Sequence, residues 1–298
     1  MTETILITGA SGFLGKRIVR FLQRTSDAYL LTTSRQQESF PNHLVRDLSD
    51  ATAELTANVD TVIHFAGLGA HQKVSEAEFN AANVTNTIQI AKAALESNVK
   101  RFIFISTTDV HGTESQSPLT ESSSLNPKSA YAKSKLAAEE ALKELCKDSE
   151  MNLIILRLPL IYHIDAVNEF GQYIQMVKES RPLPLDKISN QRTLLALRNF
   201  ESALNAVLHQ PEIRNETMII ADNFSLSTTE MVKGIAVAAV VPIKLFYAPK
   251  LLAKTAMKFT GRTAFFDTFW GDYQVSSQYA QKLLKWQPFD DYVVNLSK

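Results

Sequence analysis

Tyr131 and Lys135 stand four residues apart, and on a helix that spacing places a phenol and an ammonium on one face, close enough for the cation to favour the phenolate. A free tyrosine titrates near 10, so base character near neutrality needs a fall of roughly three units, about 4 kcal/mol of preferential stabilisation. By itself such a pair is common on helix surfaces. Ser106-Thr107-Thr108 gives it a context: three hydroxyls follow an apolar run, where one of them can hydrogen-bond the same substrate oxygen as Tyr131. The chemistry these types support is proton transfer to or from an oxygen held by a second hydroxyl.

A second group of residues holds a ligand. Ile5-Leu6-Ile7-Thr8 runs into Gly9-Ala10-Ser11-Gly12-Phe13-Leu14-Gly15 and then into the amphipathic stretch Lys16–Leu22, a strand, a glycine turn and a helix. Gly9 suits the positive φ of a tight turn, Gly12 leaves room for a pyrophosphate to reach backbone N–H groups, and Gly15 lets the helix lie close to the strand. The positive helix end then faces the phosphates. The G-x-x-G-x-x-G spacing is weak evidence alone, and its place between an apolar run and a helix makes it a dinucleotide-binding expectation.

The elements that must position these groups alternate. Apolar strand-like runs at 29–33, 59–65, 101–106 and 153–158 are separated by stretches of helical period such as 77–97 and 129–147, the β-α-β pattern of a parallel sheet. Phe102-Ile103-Phe104-Ile105 is apolar without a break, as expected where helices cover both faces. The expected fold is α/β, a doubly wound parallel sheet whose ligands sit beyond the carboxyl ends of the strands. There lie 8–15, Ser34-Arg35, Asp47-Leu48, Ala66-Gly67 and 106–112. After Leu158-Pro159 the pattern changes to a helix over 166–179, the turn Arg181-Pro182-Leu183-Pro184-Leu185 and short mixed elements. Residues 1–160 are read as a dinucleotide-binding domain, with 191–210 returning to it, and 161–298 as a smaller α/β substrate lobe.

Composition narrows the class. The 298 residues are 45% hydrophobic and 21% charged, with 31 basic residues against 31 acidic, which is ordinary for a globular chain and leaves no global field to hold nucleic acid. The apolar stretch 235–247 is broken by Pro242 and Lys244 and falls short of the ~20 residues of a membrane span, so it reads as a core helix followed by a strand. The one cysteine, Cys146, reads as a small buried hydrophobe, and the six histidines show no ligand spacing, so no metal site is expected. The N-terminal apolar run is cut short by glycines, unlike a secretory signal, and a cytoplasmic protein is expected. The aromatic group Phe259, Phe265, Phe266, Phe269, Trp270 and Tyr273 reads as packing of the second lobe or a dimer surface.

T-G-A-S-G-F-L-G at 8–15, N-V-x-x-T at Asn83–Thr87, V-K-R-F-I-F-I-S-T at Val99–Thr107, P-x-S-x-Y-x-x-S-K at Pro127–Lys135 and R-x-L-L-A-L at Arg192–Leu197 together resemble the extended short-chain dehydrogenase/reductases, the NAD-dependent epimerase/dehydratase family. The resemblance implies a Rossmann fold with a C-terminal nucleotide-sugar lobe and a homodimer. It implies Tyr131 as acid/base, Lys135 as its electrostatic and ribose-binding partner, and Thr107, with Thr108 beside it, at the reacting C4 oxygen of a UDP-sugar. It further implies coenzyme contacts from Gly9, Ser11, Gly12, Phe13, Leu14, Gly15, Ala66, Gly67 and Asn83, an adenine-contacting pair in Asp47-Leu48, and Arg192 on the substrate diphosphate. Three departures stand out. The acid expected after the second strand is replaced by Ser34-Arg35, which suits a 2′-phosphate, so NADP is favoured over NAD. His111 replaces the tyrosine of V-Y-G. Leu158-Pro159-Leu160-Ile161 lacks the asparagine typical of UDP-galactose 4-epimerases. The second half is similar to reductases of UDP-linked 4-keto-6-deoxy sugars. An NADP(H)-dependent 4-keto-sugar reductase is the leading expectation. A UDP-glucose or UDP-N-acetylglucosamine 4-epimerase with bound NAD and a non-catalytic dinucleotide sensor are the alternatives.

Overall fold

The computed structural model describes residues 2–115, 117–252, 255 and 269–297. In chain order the elements are β1 (Thr4–Thr8), α1 (Phe13–Thr25), β2 (Tyr29–Ser34), β3 (His43–Val45), α2 (Ala53–Thr56), β4 (Thr61–His64), α3 (Glu76–Asn80), α4 (Asn86–Glu96), β5 (Arg101–Thr107), α5 (Ala130–Cys146), β6 (Asn152–Leu158), β7 (Ile161–Tyr162) and α6 (Glu169–Lys178). There follow β8 (Leu183–Asp186), β9 (Arg192–Thr193), β10 (Leu195–Ala196), α7 (Leu197–Leu208), β11 (Thr217–Ile219), β12 (Ser225–Leu226), α8 (Thr228–Ala239) and β13 (Leu245–Tyr247), then helices at Gln278–Leu284 and Tyr292–Ser297.

Seven strands form one sheet in the order β11-β6-β5-β4-β1-β2-β3, and the pairings from β6 to β3 are all parallel. This is the α/β architecture expected from the alternation. All seven residues of β5 and of β6 are buried, which is why their centres read as apolar runs. Val62, Phe102, Phe104, Leu153 and Ile155 of the sheet pack with Ile90, Ala94, Ala138, Leu142 and Cys146 of the helices in one core. Cys146 is buried there, and burial pushes its thiol up to about 11.

The chain divides into two compact units: 1–112 with 124–158 and 207–218, and 113–123 with 159–206 and 219–298. The segment that joins the first unit is thus 207–218, where the sequence pattern points to 191–210, and residues 159 and 160 fall in the second unit. The reason is local. Buried Arg101 donates to the carbonyls of Val207, Leu208 and Gln210, Asn152 donates to the Ile213 carbonyl and accepts from the Asn215 N–H, and β11 then extends the sheet beside β6. The helix read over 77–97 is two helices joined by a π turn at Ala81–Thr85.

In the second unit α8 and β13 are the helix and strand expected from 235–247. Phe269, Trp270 and Tyr273 are buried, with the Phe269 ring 5.2 Å from Tyr173 and 6.1 Å from Trp270, so these three pack the unit. Phe259, Phe265 and Phe266 lie outside the described residues. No helix among the described residues is long and apolar enough to cross a membrane.

Asp222 is a buried carboxylate in this unit, accepting from Asn199 Nδ2 at 2.7 Å, Tyr162 Oη at 2.8 Å and the Ala196 N–H at 3.1 Å. Burial pushes its carboxyl up to about 6 in spite of these donors. The folded state therefore holds this proton to higher pH than the unfolded chain, and stability falls as pH rises from 4 to 6, by about 3 kcal/mol. Asp222→Asn removes that slope: relative to the parent, the variant should gain about 3 kcal/mol between pH 4 and 7 in denaturant titrations, and an unchanged difference across that range refutes the assignment.

Candidate active site

The glycine turn closes as its sequence requires. Gly9 has φ +71°, and a Cβ there would lie 2.6 Å from the Ala66 nitrogen; a Cβ on Gly15 would lie 2.2 Å from the Gly9 carbonyl oxygen. Gly12 N-caps α1 with no side chain on the helix end, and a Cβ at this position would meet only the Gly9 oxygen, at 3.2 Å. Ser11, Phe13 and Leu14 are half-buried around this terminus. An uncapped helix N-terminus lined by glycine fits a pyrophosphate.

At the next strand end Ser34 is buried and donates from its hydroxyl to the Gln36 carbonyl at 2.7 Å, with His43 Nε2 3.3 Å away. Arg35 is exposed. Thr33 Oγ1 is buried and has no hydrogen-bond partner among the described residues. Asp47 caps the turn at Leu48–Asp50, and the Ser49 N–H it accepts holds its carboxyl below the usual range, with the Arg35 charge adding to this. Leu48 is buried.

Beyond β4, Gly67 has φ +153° and a Cβ there would lie 2.6 Å from Asn83 Oδ1. That oxygen accepts the Leu68 N–H at 2.7 Å, and Asn83 Nδ2 donates to the Leu68 carbonyl at 3.1 Å and to Ser134 Oγ at 2.9 Å. The Asn83 amide therefore binds the Ala66-Gly67-Leu68 loop to α5. The π turn is what aims it inward, since Asn83 is buried at the centre of that turn.

Ser129 caps α5 by accepting the Ala132 N–H at 3.0 Å, so Tyr131 falls in the first turn and Lys135 one turn on. Tyr131 is half-buried with its ring 6.1 Å from Phe79. Lys135 is buried, its Nζ 4.0 Å from the centroid of Phe104 on β5. Burial pulls its ammonium down to about 7, against the charge of Glu139, which favours the protonated form. Three residues after Phe104, Thr107 accepts the Asp109 N–H at 3.1 Å and caps the turn at Thr108–His111; its own proton is left to donate to a ligand oxygen. Ser106 is turned to Glu139 at 2.5 Å, and the Thr108 hydroxyl is fully buried with no partner among the described residues. Of the three hydroxyls, Thr107 is the one left to meet a ligand.

Within the first unit the structure thus brings the glycine turn, Ala66-Gly67, Asn83, Thr107, Tyr131 and Lys135 to one edge of the sheet. Arg192 belongs to the second unit, where its Nη1 donates to the Gly271 carbonyl at 3.3 Å and its guanidinium lies 6.0 Å from the Tyr273 ring. Three buried polar residues beside this edge were not singled out as site residues from the sequence: His64, hydrogen-bonded to Thr8 and Thr87, and the paired Glu139 and Arg157. Glu139 follows Lys135 at helical spacing, and Arg157 is a charge inside an apolar strand, so both left a trace. No group of histidine, cysteine or carboxylate suited to a metal occurs among the described residues.

The two glycine positions separate packing from ligand contact. Gly15→Ala should lower the melting temperature by several degrees, because the new methyl collides with backbone. Gly12→Ala should leave it nearly unchanged and weaken dinucleotide binding at least tenfold by calorimetry. Equal behaviour of the two variants would contradict this division.

The sequence pattern of the NAD dependent epimerase/dehydratase family matches residues 5–216. Among curated relatives, a UDP-glucose 4-epimerase of Vibrio cholerae is 29% identical over 97% of this chain and 92% of its own length. The low-salt glycan biosynthesis protein Agl12 of Haloferax volcanii is 27% identical over 78% of this chain and 81% of its own. MoeE5 in complex with UDP-glucose and NAD superposes with a TM-score of 0.80 at 19% identity, over 98% of this chain and 96% of that one. The UDP-glucuronic acid 4-epimerase of Bacillus cereus in complex with NAD gives 0.79 at 19% identity with the same coverage. These structures share the fold. With the family pattern running through the glycine turn, Thr107, Tyr131 and Lys135, the chain belongs to the NAD dependent epimerase/dehydratase family.

Proposed function

We propose that this chain is a nucleotide-sugar oxidoreductase acting at C4 of a UDP-linked hexose, as an NADPH-dependent reductase of a 4-keto sugar. The observation that carries the reading is the placement of Thr107 and the Tyr131/Lys135 column on the sheet edge that also presents the bare N-terminus of α1. The coenzyme, when bound, supplies the hydride. Thr107 donates a hydrogen bond to the C4 oxygen, and Tyr131 holds at Oη the proton that this oxygen takes as its C=O bond becomes C–O–H. Lys135 lowers the cost of the phenolate that remains. Gly9, Ser11, Gly12, Phe13 and Leu14 hold the pyrophosphate, Asp47-Leu48 borders the adenine, and Ala66-Gly67, fixed by Asn83, lines the coenzyme. Arg192 pairs with the substrate diphosphate, for which a planar guanidinium is suited.

Two features support NADP(H). The end of β2 carries Arg35 and no carboxylate, and the Thr33 hydroxyl before it has no partner among the described residues. A second reading, a UDP-hexose 4-epimerase that retains NAD, is favoured by the Vibrio cholerae relative, which matches nearly the whole of both chains.

Mass spectrometry of nucleotide released from freshly purified protein separates the two readings. The reductase should carry no tightly held NAD and should oxidise NADPH with a UDP-4-keto-6-deoxyhexose; retained NAD and interconversion of UDP-hexoses without added coenzyme would replace it with the epimerase. Tyr131→Phe should lower kcat by about 100- to 10,000-fold while leaving coenzyme affinity within a factor of two. Arg35→Asp should cut the preference for NADPH over NADH by at least tenfold.

A further inference from the structure

Tyr131, Lys135 and Glu139 occupy successive turns of one face of α5, and Glu139 is fully buried. Its carboxylate is gripped on both oxygens. Arg157 donates from Nε to Oε1 at 3.0 Å and from Nη2 to Oε2 at 2.6 Å, and Ser106 donates to Oε1 at 2.5 Å. The guanidinium, 3% exposed, also reaches His111 Nε2 at 3.0 Å through Nη1. His111 Nδ1 lies 3.2 Å from the Ser124 carbonyl, an atom that only accepts, so Nδ1 carries the hydrogen and Nε2 accepts from Arg157. A neutral ring in this tautomer satisfies both contacts.

A buried ion pair is a poor device for stability, since apolar residues of equal volume do as well. This one sits between the parts that the proposed reaction must hold together. Ser106 precedes Thr107, His111 closes the turn that Thr107 caps, Glu139 lies one turn beyond Lys135, and Arg157 in β6 links them. The titratable groups around Lys135 are Tyr131 and Glu139 on its own helix and His64 on β4, with Arg157 and His111 behind Glu139; Phe104 of β5 presents its ring. Burial pushes His64 down to about 3, so it stays neutral while Lys135 titrates. Glu139 is the one anion in the set.

We infer that Glu139, held by Arg157 and His111, is a positioning residue that keeps Lys135 protonated next to Tyr131 and fixes α5 to the turn carrying Thr107. The inference rests on the reading of Tyr131 and Lys135 as the acid/base pair.

The test follows the Tyr131 phenol itself, with no substrate needed. Its titration is read at 295 nm in the full chain saturated with NADP+ and, separately, NAD+, as the difference between each protein and the same protein carrying Tyr131→Phe. Glu139→Gln removes the anion, Lys135 loses its proton at lower pH, and the Tyr131 midpoint should rise by about one pH unit, a tenfold fall in phenolate near neutrality. Glu139→Asp keeps the charge on a shorter arm and should bring the midpoint back toward the parent even if its melting temperature stays low. Should Glu139→Gln fail to fold with Arg157 unpaired, Glu139→Gln with Arg157→Met removes both charges and should shift the midpoint in the same direction. A midpoint that moves in Lys135→Met and stays put in the Glu139 variants overturns the inference alone, leaving a purely structural ion pair. A midpoint unmoved in Lys135→Met overturns the acid/base reading and the inference with it.

Discussion

His64 ends β4 with a threonine hydroxyl on each ring nitrogen, Thr8 at 2.7 Å on Nδ1 and Thr87 at 2.9 Å on Nε2. Thr87 gives its own proton to the Asn83 carbonyl at 2.8 Å, so Nε2 must be the donor to Thr87 and Nδ1 the acceptor from Thr8. The donors then continue in one direction, from Asn83 Nδ2 to Ser134 Oγ and from the Ser134 hydroxyl to the Tyr131 carbonyl at 2.7 Å. The chain starts on the last residue before the glycine turn and finishes on the backbone of Tyr131. The links from Thr8 to Ser134 are buried, so a missing partner there would leave a desolvated polar group at a cost of about 1–3 kcal/mol. The ligand edge of the sheet is thus held in register by neutral hydrogen bonds whose directions are all determined.

Charge enters this region sparingly and in matched form. Phe104 touches both His64 and Lys135, its ring stacked 5.9 Å from the His64 ring and 4.0 Å from the Lys135 ammonium. An aromatic face offsets part of the loss of water around a cation, and the neutral imidazole adds no repulsion. Arg157 and Glu139 pair one layer further in, and the Glu139 charge also favours the protonated Lys135. Elsewhere in the first unit Arg101 satisfies the same rule with carbonyls in place of a carboxylate.

Much of this architecture was legible from local pattern. The apolar runs at 101–106 and 153–158 announced β5 and β6, which are buried throughout, and the helical period over 129–147 announced α5, whose first turn Ser129 caps. The parts that stayed hidden depend on distant partners. β3 is three residues with two of them exposed, and β11 is three residues beside β6; neither has the length for a period to show. The π turn at Ala81–Thr85 is invisible to a helical count, yet it is what buries Asn83. Expecting 191–210 to rejoin the first unit placed the return too early, because the anchors that bring the chain back, Arg101 and Asn152, lie more than fifty residues upstream of the segment they hold. At the site, residue types with a familiar spacing were legible, whereas the partners of His64, Glu139 and Arg157 lie on other strands and helices, and the faint traces that Glu139 and Arg157 leave in the sequence do not name them.

Cys146 closes α5 inside the core, with its thiol hydrogen retained well above neutral pH. Since thiol reagents attack the thiolate, this sulfur is silent toward alkylation and oxidation until the helix end opens. The native surface contributes no competing cysteine, so a single cysteine engineered at an exposed position would take a fluorophore or spin label alone. The natural one, labelled only when the core is breached, would serve in the same molecule as a clock for unfolding.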